Sequence, residues 1–305
     1  MTADMDLITL IERFPDEDSC RRVLEALRWP DGVACVRCGS MSVWDIQKRN
    51  QYQCKDCDYR FSVTAGTIMN DSHLPLRKWF LATYLIVEAK KGISSRQLGR
   101  TLKVARKTEW YLSHRIREAM AQAMAKDAPL SGTVEVDETY IGGRVRGKGR
   151  GYVGNKTIVV GAKQRGGSIK MQVVDANDRA TLHRFIKDVA GDAENIYTDE
   201  WAAYRGIGDA DTRHETVNHR AEEWVRGPVH TNSIEGTWSL FNRALIGSYH
   251  QVQRKHLDKY LNEMEWRQNN RENKHLFRDT LKALLSAEAM TYSDLTASTP
   301  PIGTA

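Results

Sequence analysis

Two Cys-x-x-Cys pairs constrain this chain more tightly than any other feature of it. Cys35-Val-Arg-Cys38 and Cys54-Lys-Asp-Cys57 are separated by 15 residues, a spacing that suits a tetrahedral zinc site made of four cysteines. Each pair bends tightly enough for two thiolates to grip one ion, and the stretch 41–52 between them reads as a hairpin that brings both knuckles together. Zinc then substitutes for a core in a segment too short to build one. Two disulfides are the alternative, and a chain with five cysteines in 305 residues is too cysteine-poor for a disulfide scaffold. The fifth, Cys20, lies on an apolar helical stripe and reads as a small core thiol.

Length sets the scale of the rest. A chain of 305 residues has room for two or three domains, each with its own core. Its net charge of +6 favours a polyanionic partner without naming one. No apolar run approaches the roughly 20 residues of a membrane span, and the acidic start lacks the basic-then-apolar pattern of a secretory signal. The expectation is an intracellular, cytoplasmic protein with no membrane partner.

Residues 1–30 carry apolar positions at helical spacing, enough for two short helices. From Leu76 to Met124 the helical period returns, broken at Gly92 and around Lys103–Arg106. The last two of these three segments have the spacing of a helix-turn-helix, with the second helix as the reader. Arg106, Lys107 and Arg115 are the cations expected to meet DNA there, although three helices that merely pack together fit the same pattern. Then the period changes to two. Val134–Tyr140, Thr157–Lys163 and Ser168–Val174 read as consecutive strands, followed by a helix over Arg179–Val189, a fourth strand at Asn195–Thr198, and helices from Ser233 and from Lys255. That order fits an α/β layer: an antiparallel meander and a later strand reached through a helical crossover. The tail from Thr291 reads as unstructured.

The strands carry acidic residues where charge needs a reason. In Thr-Val-Glu-Val-Asp137-Glu, Val134 and Val136 face one side, and Glu135 and Asp137 the other. Asp199 ends the fourth strand, at the edge where open α/β sheets hold their ligands. Two aspartates side by side repel each other unless a cation neutralises them, and hard oxygen donors suit Mg²⁺ or Mn²⁺. Glu235 follows in the first turn of a helix whose stripe of Ile234, Trp238, Phe241 and Leu245 would anchor it to the sheet. Asn232 stands three residues earlier. Their spacing also matches a capping box, in which Glu235 would only satisfy a backbone N–H, and Asn232 is itself an oxygen donor. The glycine-rich basic stretch 142–156 adds Arg144, Arg146, Lys148 and Arg150 as further candidates for DNA contact, or a flexible loop.

In this order, and after two cysteine pairs, the motifs VEVDETYIGG, NIYTDEWAAY and HTNSIEGTWSLFNR resemble the DDE insertion-sequence transposases of the ISXO-like group. The resemblance spans about residues 15–275. It implies an RNase H-like catalytic domain preceded by the zinc ribbon and the helical region, with boundaries expected at 1–70, 71–128, 129–275 and 276–305. It also implies that Asp137, Asp199 and a third residue bind two divalent ions about 4 Å apart for in-line phosphoryl transfer. The third position falls on Asn232 or Glu235, and Glu235 is expected because a carboxylate adds the charge that holds a second ion. The implied partners are the element's DNA ends and target DNA, with a homo-oligomer bringing two ends together. An RNase H-like nuclease without strand transfer, and a zinc-dependent DNA-binding regulator, share most of these features.

Overall fold

In the computed structural model, which describes residues 5–142, 154 and 156–297, the chain divides into two compact units. One comprises residues 1–126 and 272–305, the other residues 127–271. In chain order the first begins with helices α1 (Leu7–Arg13) and α2 (Glu17–Arg28), strands β1 (Val43–Ile46), β2 (Gln51–Cys54) and β3 (Arg60–Phe61), and helices α3 (Leu76–Glu88), α4 (Ser95–Leu102) and α5 (Arg106–Met124). The second holds β4 (Ser131–Ile141), β5 (Thr157–Gln164), β6 (Ile169–Val174), α6 (Arg179–Ala190), β7 (Asp192–Thr198), β8 (Arg213–Thr216), α7 (Asn232–Ala244) and α8 (Arg254–Asn269). The chain then returns to the first unit with α9 (Leu276–Ser286) and α10 (Tyr292–Thr296).

In the first unit, local signals start the helices and distant side chains finish them. A reciprocal capping box between Asp16 and Ser19 opens α2, and the Ser94 hydroxyl accepts from Gln97 N at the start of α4. The start of α3 has no local cap; the carboxylate of Glu17 accepts from Leu76 N at 2.7 Å and Arg77 N at 3.0 Å instead. Phe14 packs edge-on against Phe80 at 4.8 Å, and Phe80 against Phe277 of α9 at 5.8 Å. The C-terminal helix is thus part of this core. The tail expected to be unstructured begins with α10, opened by a capping box between Thr291 and Asp294.

The second unit is built on a five-stranded sheet in the order β6-β5-β4-β7-β8. β4, β5 and β6 form an antiparallel meander, while β7 and β8 run parallel to β4. Val134, Val136, Val160 and Ala162 meet Leu182, Phe185 and Ile186 of α6 on one face. Val159, Ile169 and Met171 meet Ile234, Trp238 and Phe241 of α7 and Leu257 and Leu261 of α8 on the other. A mixed sheet of this order, covered on both faces and with an α-helical crossover between β6 and β7, is the RNase H-like arrangement. β8 was not expected from the sequence: Arg-His-Glu-Thr has no apolar alternation because, as an edge strand, it pairs on one side only.

Candidate active site

The central pair of strands brings the two aspartates together. Their parallel register pairs Val134 with Ile196 and Glu135 with Tyr197. Two residues further on stand Asp137, in the middle of β4, and Asp199, just past the carboxyl end of β7. Burial pushes the Asp137 carboxyl up to about 8, reinforced by the nearby charges of Glu138, Asp199 and Glu235. Burial also raises Asp199, whose Oδ1 accepts from Trp201 N at 2.9 Å. Carboxylates from the end of β7 and the first turn of α7 therefore both disfavour ionisation of the buried Asp137 on β4. A cation there removes that penalty, and the oxygen-only donor set fits a hard divalent ion.

Asn232 is the first residue of α7 and is exposed; Thr231 occupies the cap position without a side-chain cap. The capping-box reading of Glu235 does not hold. Its Oε1 accepts from the Thr231 hydroxyl at 2.8 Å, and the helix start is capped by Glu135 instead. Glu135 is fully buried. Its Oε2 accepts from Ser233 N at 2.7 Å and Ile234 N at 3.1 Å, and its Oε1 from the Ser233 hydroxyl at 3.0 Å. Arg165 Nε lies 2.8 Å and His230 Nδ1 3.2 Å from the same Oε1. A negative charge at a helix N-terminus, paired with the Arg165 guanidinium, welds α7 to β4. Glu135 thereby fixes where Glu235 stands relative to Asp137.

Trp238 supplies a second tie. Its indole Nε1 donates to Asp137 Oδ2 at 3.0 Å, which the ring reaches by lying over Gly161, the cross-strand partner of Asp137. A Cβ at Gly161 would stand 2.6 Å from Trp238 Cη2, so the glycine makes room for the indole. On the opposite face of β4, Glu138 accepts from the buried Tyr204 hydroxyl at 2.6 Å.

In the first unit the four cysteine Sγ atoms all lie within 4.8 Å of one another, with Cys35 against Cys57 and Cys38 against Cys54, each at 3.6 Å. Among the described residues this is the group of three or more candidate ligands that closes to that spacing, and it suits a structural zinc. The acidic trio is more open. Beneath the cysteines, Tyr52 and Phe61 pack with Trp29, and Arg28 donates to the carbonyls of Val63 at 2.6 Å and Ala65 at 2.8 Å.

Residues 129–269 match the ISXO2-like transposase domain and residues 15–60 the transposase zinc-ribbon domain. A protein described as an uncharacterized protein in transposable element ISH50, from Halobacterium salinarum, is 32% identical over 281 residues, covering 84% of this chain and 92% of the relative. The chain belongs to the ISXO2-like transposase family. Solved structures similar to it include the HTLV-2 integrase catalytic core domain in complex with magnesium, at 16% identity, covering 46% of this chain and 86% of that one, with a TM-score of 0.29. The Mos1 Strand Transfer Complex matches at 10% identity, covering 68% and 74%, with a TM-score of 0.32.

The basic residues expected to meet DNA divide into three sets in this transposase-family chain. Arg106 and Lys107 are exposed in the first turn of α5, with Lys107 Nζ 4.1 Å from the Tyr292 ring centre. Arg115 is buried. Its guanidinium donates to the Asn70 carbonyl at 2.6 Å and packs over Trp79 and Tyr111 at 5.1 and 4.9 Å. The expected phosphate contact by Arg115 is corrected accordingly: a helical period places it on the inner face of α5, where an arginine serves packing. Arg144, Arg146, Lys148 and Arg150 lie outside the described residues. The pair α4 and α5 has the tight turn expected, with Lys103 left-handed at φ 50° and Gly99 so close to Glu109 that a Cβ would fall 1.7 Å from Oε2. Among the described residues no helix is long and apolar enough to cross a membrane.

Sequence reasoning did not find the supporting roles of Glu135, Trp238 and Gly161. Glu135 left a signal, a second inward charge on the same strand face as Asp137. Trp238 left none beyond its place in an apolar stripe.

Proposed function

We propose that this chain is a DNA transposase that binds the ends of an insertion sequence and carries out divalent-metal-dependent cleavage and strand transfer, with Asp137, Asp199 and Glu235 as its catalytic carboxylates. The observation that carries the reading is the convergence of three acidic side chains in a space where burial and mutual repulsion drive Asp137 up to about 8. Such an arrangement is costly without a cation and is what a two-ion phosphoryl-transfer site requires. A pair of ions also needs a broader donor set than one tetrahedral zinc. When bound, the Mg²⁺ or Mn²⁺ ions would supply charge neutralisation at the phosphate and activation of water or a DNA 3′-OH.

The protein's own contribution is positioning. The Trp238 N–H holds one oxygen of Asp137 and leaves the other for a ligand. The Thr231 hydroxyl holds Oε1 of Glu235, and Glu135 keeps the start of α7 against β4. Glu235 is preferred to Asn232 as the third ligand because its charge acts on Asp137 and can compensate a second ion. The exposed Arg106 and Lys107, with the basic stretch that follows β4, are the proposed contacts to the DNA backbone. A homo-oligomer is proposed to pair the two ends.

The deciding experiment incubates the protein with a labelled duplex carrying the element ends and a target plasmid, with Mg²⁺, Mn²⁺ or neither. Joined product that needs the ion, Asp137, Asp199 and Glu235 is expected. Cleavage without joining when paired ends and target are present would identify a nuclease. Binding with neither would leave a regulator.

A further inference from the structure

The loop from β8 to α7 carries a side chain that the carboxylate trio does not explain. His219 Nε2 lies 3.8 Å from Glu235 Oε1. That is too long for a hydrogen bond, and Nε2 is buried without a hydrogen-bond partner. A buried ring nitrogen left in that condition is costly and calls for a ligand.

The placement is held from several directions. Glu200, the neighbour of Asp199, accepts from His219 N through Oε2 at 2.9 Å, and Arg220 Nε lies 3.5 Å from its Oε1. Asn218 caps the short turn by accepting from Ala221 N at 3.2 Å. The imidazole packs against Trp224 with ring centres 4.6 Å apart, while Val217 and Val229 anchor the two ends of the loop against Tyr197. The ring therefore stands between the end of β7 and the first turn of α7.

We infer that His219 is a nitrogen ligand of the divalent ion that Glu235 holds, so that the site has mixed oxygen and nitrogen donors. The inference rests on the carboxylate reading proposed above. Two ligands of one octahedral ion with bonds of about 2.1 Å stand about 3.0 Å apart when adjacent, so the 3.8 Å between His219 Nε2 and Glu235 Oε1 closes by less than 1 Å when the ion binds. Mg²⁺ keeps to oxygen donors more strictly than a first-row transition ion does. Of the two candidate ions, His219 therefore favours Mn²⁺ over Mg²⁺.

Pulsed electron paramagnetic resonance of Mn²⁺ bound to the tag-free, zinc-loaded full-length protein tests this without using activity. The wild type is expected to show coupling from an imidazole nitrogen. His219→Gln should retain the ion, lose that coupling, and bind Mn²⁺ about tenfold more weakly, with a smaller change for Mg²⁺. Site-bound Mn²⁺ without nitrogen coupling in the wild type overturns the inference and leaves the carboxylate reading standing, and needs no variant to fold. Coupling that persists in His219→Gln overturns it equally. Mn²⁺ binding that is the same in wild type and Asp199→Asn overturns the carboxylate reading and the inference with it.

Discussion

Replacing Glu135 tests whether one buried carboxylate assembles the site. Glu135→Gln keeps the shape but removes the charge, and its amide N–H₂ must face at least one of the donors that now converge there: two backbone N–H groups, a hydroxyl and the Arg165 guanidinium. Removing one partner of a buried ion pair costs about 3 to 5 kcal/mol. The Arg165 side chain retains 26% exposure and can recover some hydration, which places the expected loss near the lower end, about 3 kcal/mol. Because the chain has two units, a single unfolding midpoint is a poor measure. Hydrogen exchange read by mass spectrometry, peptide by peptide, is better. A loss of about 3 kcal/mol corresponds to roughly a hundredfold faster exchange in the peptides of β4 and the start of α7, with α3 and α5 unchanged. Strand joining should fall with it, since Glu235 loses its fixed approach to Asp137. Protection of the α7 start within about threefold of wild type would refute the argument that Glu135 is its anchor.

Gly161→Ala should overpack the face under Trp238 and cost about 1 to 3 kcal/mol; unchanged hydrogen exchange in the β5 and α7 peptides and unchanged joining would mean the indole has room that the structure denies it. Without added divalent ions, the folded Asp137 carboxyl, at about 8 against 3.8 for the free group, holds its proton more tightly than the unfolded chain does. Stability is then lost as pH rises from about 4 through about 8, by at most about 6 kcal/mol. Asp137→Asn should flatten that slope in the hydrogen exchange of β4 peptides at pH 5 and pH 8, corrected for the intrinsic exchange rate, and an unchanged slope would assign it elsewhere. Arg106→Ala and Lys107→Ala should each weaken DNA binding across sequences and lower the salt slope by about one. Arg115→Ala should instead lower the stability of the first unit, and a reduced salt slope in a fully folded Arg115→Ala protein would reinstate it as a phosphate contact.

The elements that sequence could determine are those whose cause is local or covalently spaced. Two Cys-x-x-Cys pairs dictate where four thiolates can meet, whatever surrounds them. The change of period from 3.6 to two marks where helices yield to strands, and the order of strands limits the sheet to a few topologies. Asp137 was legible as a candidate because a charge on an inward strand face stands against its neighbours, and Asp199 because it follows the end of a strand, where open α/β sheets hold ligands. The roles of other residues depend on partners far away in the chain, and only tertiary structure could decide them. Arg115 and Arg106 are the same residue type on the same helix, and packing puts one inside and the other out. Leu76 begins a helix capped by Glu17, and α7 one capped by Glu135, 98 residues before Ser233. Neither cap obeys a local rule, because a helix N-terminus needs only an acceptor within hydrogen-bond reach and the fold determines which residue provides it.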